Sequence, residues 1–288
     1  MVLVGAGRMG RNHARALARG TAFRLVSIVD PVEPDWADVH WECDLDATLA
    51  RLHPDAVIVA VPSGVHDRVA RQCLAAGCHV LLEKPLCPSE AQASRLAESF
   101  RAAGRILFGG HCERFHPVFR ALVDRVDPAS VEWLCAVRTG PHPQRAQPDD
   151  VLLDLAIHDV DLAIRLLGPL ARRALPVLVE GLEGVGFRAA CGADVAIRCG
   201  YQPGRTRHWE IRTPQIAYHA DFLGRTLESI QDGRRESLRV GEGDALELEH
   251  RAFRRALEGR DSSLDLAIQI ESIGLLEEPI EATDQSAR

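Results

Sequence analysis

The sequence predicts an α/β protein of two domains: an N-terminal Rossmann domain with a parallel sheet, then an α+β domain with a mostly antiparallel open sheet. Three observations carry this. Residues 1–110 alternate short apolar strands with helices of about 10–15 residues, the pattern of βαβ units. The first strand runs into Gly5-Ala6-Gly7-Arg8-Met9-Gly10, a G-x-G-x-x-G at a strand-to-helix junction. After Gly110 the alternation stops and strand-like pieces follow one another.

Each element has a local reason. Residues 2–4 are an apolar run cut off by Gly5, and the helix over 8–19 ends at Gly20. A β-rich run over 23–29 closes on Asp30-Pro31. Residues 45–52 read as a helix, and 56–61 as a buried strand ending at Pro62. A helix over 66–76 stops at Gly77, and a strand over 79–82 is closed by Glu83-Lys84-Pro85. A helix over 88–103 has Ser89 as cap and Gly104 as its end; a strand over 105–108 precedes Gly109-Gly110. The unbroken apolar character of these strands suits burial on both faces.

In the second half, 118–125 is helical, 131–138 is a strand and 139–150 is a Pro-rich loop. Residues 152–167 form a helix that Gly168-Pro169 terminates. Strand-like pieces follow at 177–180, 187–190, 195–201 and 208–213, then helices at 245–258 and 266–277. The boundary falls near 110: residues 1–110 bind a dinucleotide, and 111–288 bind substrate and mediate oligomerisation. Apolar strands such as 177–179 and 195–197 are expected to bury against a partner subunit, in a homodimer or homotetramer.

The 288 residues suit about two domains. A net charge of −7 denies the broad basic field that nucleic-acid binding needs, while leaving room for an anionic ligand in a local pocket. The eight cysteines form no C-x-x-C pair, which removes zinc-ribbon and thioredoxin readings. The opening MVLVGAG has neither a basic n-region nor an apolar h-region, and no apolar run spans a bilayer. The expectation is a cytoplasmic protein with reduced thiols and no membrane partner.

The chemistry-bearing residues gather at the strand ends, where open parallel sheets bind ligands. Gly5 permits the tight turn, Gly7 lets backbone approach a pyrophosphate, and Gly10 lets the helix pack closely; Arg8 and Met9 complete the loop. Asp30 stands 20 residues past Gly10, where an acid binds the adenosine ribose and repels a 2′-phosphate, favouring NAD. Pro62, Ser63 and His66 follow the third strand of that series, and Glu83 and Lys84 the fourth, all expected to line the cofactor. Asp154 and His158 are four apart and share a helix face, with Asp161 three further on. A histidine beside a carboxylate is a tunable general base. Zinc is the competing use of Asp and His, but clear third and fourth ligands are lacking, so no metal is expected.

Gly5–Gly10, Asp30, Glu83-Lys84-Pro85 and Asp154-x3-His158-x2-Asp161 together resemble the Gfo/Idh/MocA oxidoreductases across nearly the whole chain. Gly10-Arg11-Asn12-His13-Ala14-Arg15, the segment from Gly110 to Pro117, Arg138-Thr139-Gly140-Pro141 and Leu166-Leu167-Gly168 are similar to the UDP-N-acetylglucosamine 3-dehydrogenase branch. That branch usually has Asn where this chain has His116. The resemblance implies NAD-dependent oxidation of a sugar hydroxyl, most closely the 3-hydroxyl of a UDP-N-acetylhexosamine. It also implies that His158 takes the hydroxyl proton, Lys84 steadies the reacting oxygen or relays the proton, and Asp154 orients the sugar or His158. Arg114, His116, Arg138 and Arg145 are then candidate contacts for the nucleotide sugar. Two alternatives stay open: a dehydrogenase or ketoreductase of another sugar or inositol, and a non-catalytic NAD-binding regulator.

Overall fold

The structure is a computed structural model that describes residues 1–143, 150–174, 181–260 and 266–277. The chain divides into two compact units, Met1–Phe115 with Gly243–Ile270, and His116–Glu242 with Glu271–Arg288.

The first unit holds six parallel strands, β1 (Val2–Val4), β2 (Ser27–Val29), β3 (Trp41–Glu42), β4 (Ala56–Val59), β5 (His79–Glu83) and β6 (Leu107–Gly110), in the order β3-β2-β1-β4-β5-β6. Strand order reverses at β1, which pairs with both β2 and β4. The crevice beyond the carboxyl ends there is the ligand position of a doubly wound sheet. Helices α1 (Arg8–Arg19), α2 (Leu45–Leu52), α3 (His66–Ala75) and α4 (Glu90–Ala102) make the crossovers. Asp44 caps α2 by accepting from the Ala47 N–H, and Ser89 caps α4 by accepting from the Gln92 N–H. The β-rich run expected over 23–29 forms a strand only over Ser27–Val29. Its partner β1 is three residues long, so the ladder ends at Val2 opposite Ser27.

The tail departs from the expected division at residue 110. A boundary at 110 puts helix 245–258 in the second domain, yet Gly243–Ile270 belongs to the first unit. Phe253, wholly buried, lies 5.5 Å from the Phe23 ring and 5.4 Å from the Phe108 ring, and joins a core with Leu3, Ile28, Ile58 and Leu81. An amphipathic pattern shows that a helix buries a face; it does not say against which sheet.

The second unit is organised around an eight-stranded sheet: β7 (Trp133–Gly140), β8 (Leu170–Arg173), β9 (Glu183–Ala189), β10 (Asp194–Tyr201), β11 (Thr206–Arg212), β12 (Ala217–Asp221), β13 (Thr226–Gln231) and β14 (Arg234–Leu238). Its order is β14-β13-β12-β11-β7-β10-β9-β8. Only β7 and β10 pair in parallel; every other neighbour is antiparallel. The meander β12–β14 is absent from the sequence reading, because β13 and β14 are mostly solvated and lack an apolar alternation. Asp232-Gly233, both at positive φ, makes the tight hairpin turn between them. Helix α5 (Pro117–Val123) precedes the sheet, and α6 (Ile157–Leu167) follows a π-helical turn over Leu152–Ala156.

Val195 and Ile197, expected to bury against a partner subunit, are already buried within the chain; 177–179 lies outside the described residues. Among the described residues no helix is long and apolar enough to cross a membrane.

Candidate active site

In the first unit the glycine loop is built as its sequence requires. Gly5 has φ +98°, and a Cβ there would meet the Ala60 oxygen at 2.5 Å. A Cβ on Gly10 would meet the Gly5 oxygen at 1.9 Å, so α1 can approach the strand only with glycine. A Cβ on Gly7 would meet nothing within 4 Å; Gly7 and Arg8 are exposed and Met9 half-buried. The first turn of α1 carries no acidic residue, so its N–H groups and partial positive charge are offered to an anion. Asp30 Oδ2 accepts from the Ala6 N–H at 2.7 Å and Oδ1 from the Val32 N–H at 2.9 Å. A carboxylate has about four lone-pair positions, so two remain for ribose hydroxyls. These residues fit a dinucleotide.

Next to the loop, Pro62 is exposed and Ser63 buried, in a short 3₁₀ turn over Ser63–Val65. His66 is buried, with Nδ1 2.8 Å from the Pro85 oxygen and Nε2 2.9 Å from the Val61 oxygen. It ties the end of one strand to the turn after another. Glu83 is also turned inward. Its Oε1 lies 2.7 Å from His13 Nε2, and its Oε2 accepts from the Lys84 N–H at 3.2 Å. Burial alone would raise this carboxyl, but the His13 hydrogen bond and the charges of His13, Lys84 and His111 hold it below the usual range. Lys84 is half-buried, and the Lys84–Pro85 peptide is cis. Arg114, expected on the substrate, lies in the short helix Cys112–Phe115 of this unit and exerts its charge on Glu249. Cys87, three residues past Lys84, is no nucleophile: burial, then the Asp67 charge, push its thiol up to about 12.

In the second unit Asp154 sits in the π-helical turn and His158 in the first turn of α6, both half-buried. The widened turn replaces the regular helix expected over 152–167, and such turns recur at functional sites. Tyr201 donates its hydroxyl to Asp154 Oδ2 at 3.1 Å, and its ring lies 4.6 Å from that of His142, tilted by 53°. Asp161 is wholly buried, 3.8 Å from Arg165 Nε one turn on. Arg138 lies inside the unit, 2% exposed; Asp159 holds it through Nε at 2.7 Å and Nη2 at 3.1 Å. His116 Nδ1 accepts from the Val118 N–H at 3.3 Å and so caps α5, a task Asn also performs. Arg145 lies outside the described residues.

A family described as "Oxidoreductase family, NAD-binding Rossmann fold" matches residues 1–111. UDP-N-acetylglucosamine 3-dehydrogenase of Acidithiobacillus ferrooxidans is 32% identical to this chain, over 88% of it and 87% of the relative. The chain belongs to the Gfo/Idh/MocA oxidoreductase family. A solved structure of the Acidithiobacillus ferrooxidans enzyme covers 96% of this family member and 94% of its own chain, at TM-score 0.82 and 26% identity. Inositol 2-dehydrogenase of Leifsonia xyli subsp. xyli is 29% identical, over 77% of this chain and 78% of its own.

The sequence of this family member holds a further signal at the site. Lys84 is its single lysine; the other 33 of its 34 basic side chains are arginines. Tyr201 shows in the sequence only as the end of a strand; its hydroxyl reaches Asp154 across the fold, from the end of β10 to the π-helical turn. His13, Glu249 and His250 carried no motif that pointed to one another.

Proposed function

We propose that the protein is a NAD-dependent dehydrogenase of a sugar secondary alcohol, taking the 3-hydroxyl of a UDP-N-acetylhexosamine to a 3-keto group. The observation that carries this reading is the solitary lysine. A chain that uses arginine at every other basic position keeps an amine at one place, in a Glu-Lys-Pro turn after a strand of a dinucleotide fold. Guanidinium stays protonated in proteins, whereas an ammonium can hand a proton on and is compact enough to meet a single oxygen.

Gly5, Gly7, Arg8, Met9 and Gly10 hold the pyrophosphate in this reading, Asp30 the ribose, and Pro62, Ser63 and His66 the wall beside them. Bound NAD supplies the hydride acceptor, and that chemistry is the cofactor's own. His158 takes the hydroxyl proton. Lys84 hydrogen-bonds the reacting oxygen and steadies its developing charge. Asp154, itself fixed by Tyr201, orients His158 or the sugar.

Appearance of NADH with UDP-N-acetylglucosamine or UDP-N-acetylgalactosamine is the expected result. Turnover with inositol or glucose and none with nucleotide sugars would replace the substrate; NAD binding with no turnover anywhere would favour a regulator. The Leifsonia relative keeps inositol as the second substrate reading.

The cofactor assignment has its own test. Asp30→Asn keeps an acceptor for the Ala6 N–H and removes the charge. It is expected to raise the KM for NAD about tenfold, roughly 1.4 kcal/mol of binding, and to narrow the preference over NADP. An unchanged ratio of kcat/KM values for the two cofactors would take Asp30 off the ribose.

A further inference from the structure

Four titratable side chains meet in the interior of the first unit. His13 comes from α1, Glu83 from the end of β5, and Glu249 and His250 from helix α7 (Ala245–Leu257). His13 and Glu249 are wholly buried, His250 and Glu83 nearly so. Polar atoms of His13, Glu83 and Glu249 all lie within 4.8 Å of one another. Burying this many ionisable groups is unfavourable compared with apolar residues of the same volume, so stability alone does not explain them.

The hydrogen bonds form one continuous chain. His250 Nε2 stands 2.9 Å from His13 Nδ1. Burial, then the charge of His13, lower His250 to about 3, so it is neutral. His13 thus stands between His250 and Glu83, hydrogen-bonded to the one through Nδ1 and to the other through Nε2. Glu83 in turn receives the N–H of Lys84. On the other side of Lys84, the Pro85 oxygen is held by His66. The lysine therefore stands between two residues that buried histidines hold in place.

Glu249 completes the cluster differently. Neither of its oxygens has a hydrogen-bond partner among the described residues. Burial, then the Glu83 charge, raise its acid well above the usual range, with Arg114 opposing. It is an acid pushed toward its neutral form beside a carboxylate. Glu83 and the charge of Arg114, after β6, act on it directly; Lys84, His13 and His111 act on Glu83, its partner in the cluster, and His250 follows it on its own helix.

We propose that His13, Glu83, Glu249 and His250 are positioning residues: a buried proton-sharing network, fastened from α7, that fixes Lys84 and the charge beside it. The proposal rests on the assignment of Lys84 to the reacting oxygen. Glu249 gives it a pH signature. At acidic pH the folded and unfolded chains both hold the Glu249 proton. At higher pH the unfolded chain releases it first, so this group's contribution to stability falls as pH rises through the raised folded value.

The single lysine makes the test direct, because 13C-lysine labelling of the full chain yields one side-chain spin system. The probes are NAD and UDP-N-acetylglucosamine. Glu83→Gln is expected to lower kcat about tenfold or more. Its NAD affinity should stay within about threefold of the parent, because the Glu83 carboxylate, expected to line the cofactor, is buried and turned onto His13 instead. Its Lys84 resonance should move, and Glu83→Asp should restore part of both turnover and signal. Glu249→Gln should abolish the inflection that the Glu249 titration imposes on the Lys84 signal and flatten the fall in Tm as pH rises above the ordinary carboxyl range. That variant carries the test if Glu83→Gln does not fold. A folded Glu83→Gln with parental kcat and an unmoved Lys84 signal overturns the proposal. So does a stoichiometric divalent metal in the purified protein that Glu249→Gln loses, which would make the cluster a metal centre. If Lys84→Ala turns over like the parent, the assignment of Lys84 falls and takes the network's role with it. If Lys84→Ala is inactive and Glu83→Gln indifferent, only the network falls.

Discussion

Lys84→Ala is expected to lower kcat by about 10²–10⁴-fold, the range in which a positioned acid or base acts. The affinity for NAD should stay close to the parent's, since the glycine loop, Asp30 and the α1 N-terminus do not depend on the ammonium. Lys84→Arg separates two roles for the residue. A guanidinium supplies charge but cannot release its proton, so recovery of most turnover would mean charge stabilisation, and continued inactivity would mean proton transfer. Steady-state kinetics with NAD titration decides both. Parental turnover in Lys84→Ala would remove the lysine from the chemistry altogether.

The second large effect falls on stability. Asp159→Ala is expected to destabilise the protein by about 3–5 kcal/mol, because it leaves a guanidinium buried and stripped of its bidentate partner. Trp209 Nε1–H, which donates to Asp159 Oδ1 at 2.8 Å, loses its acceptor as well. The double variant Arg138→Met with Asp159→Leu should recover much of the loss, since no uncompensated charge remains. Denaturant unfolding at unchanged m-value measures this. A midpoint for Asp159→Ala close to the parent's would show that the pair is not what holds β7 to α6. The variant also bears on Arg138 as a contact for a nucleotide. A purely internal arginine predicts lost stability with little change in KM, whereas a substrate contact predicts a raised KM in whatever fraction remains folded.

Much of the first unit was legible because its signals are local. Glycine at a positive φ, a cap before a helix and a proline after a strand each act within a few residues, and α1, α2 and the strand β1 fall where such signals put them. What escaped was pairing at a distance. The sequence around Asp159 looks like more of the acidic stripe beside His158, yet the fold gives Asp159 to Arg138 and Trp209 and leaves Asp154 to Tyr201. The choice is made by which residues of β7, β10 and β11 stand opposite α6, and no spacing along the chain encodes that. The meander over β12–β14 escaped for another reason. Its outer strands face solvent, so the hydrophobic alternation that marks a strand is weak.

The return of Gly243–Ile270 to the first unit sets an order of events during synthesis. When the ribosome has made the first 115 residues, every strand of the parallel sheet exists, but Phe253 does not. Phe23 and Phe108 then lack the ring that covers them, and His13 lacks His250. The dinucleotide-binding half therefore cannot finish folding until more than a hundred further residues, those of the other unit, have emerged. A fragment cut after residue 115 would be an exposed apolar sheet, prone to aggregate, and a nascent chain stalled before α7 would be a natural client for a chaperone.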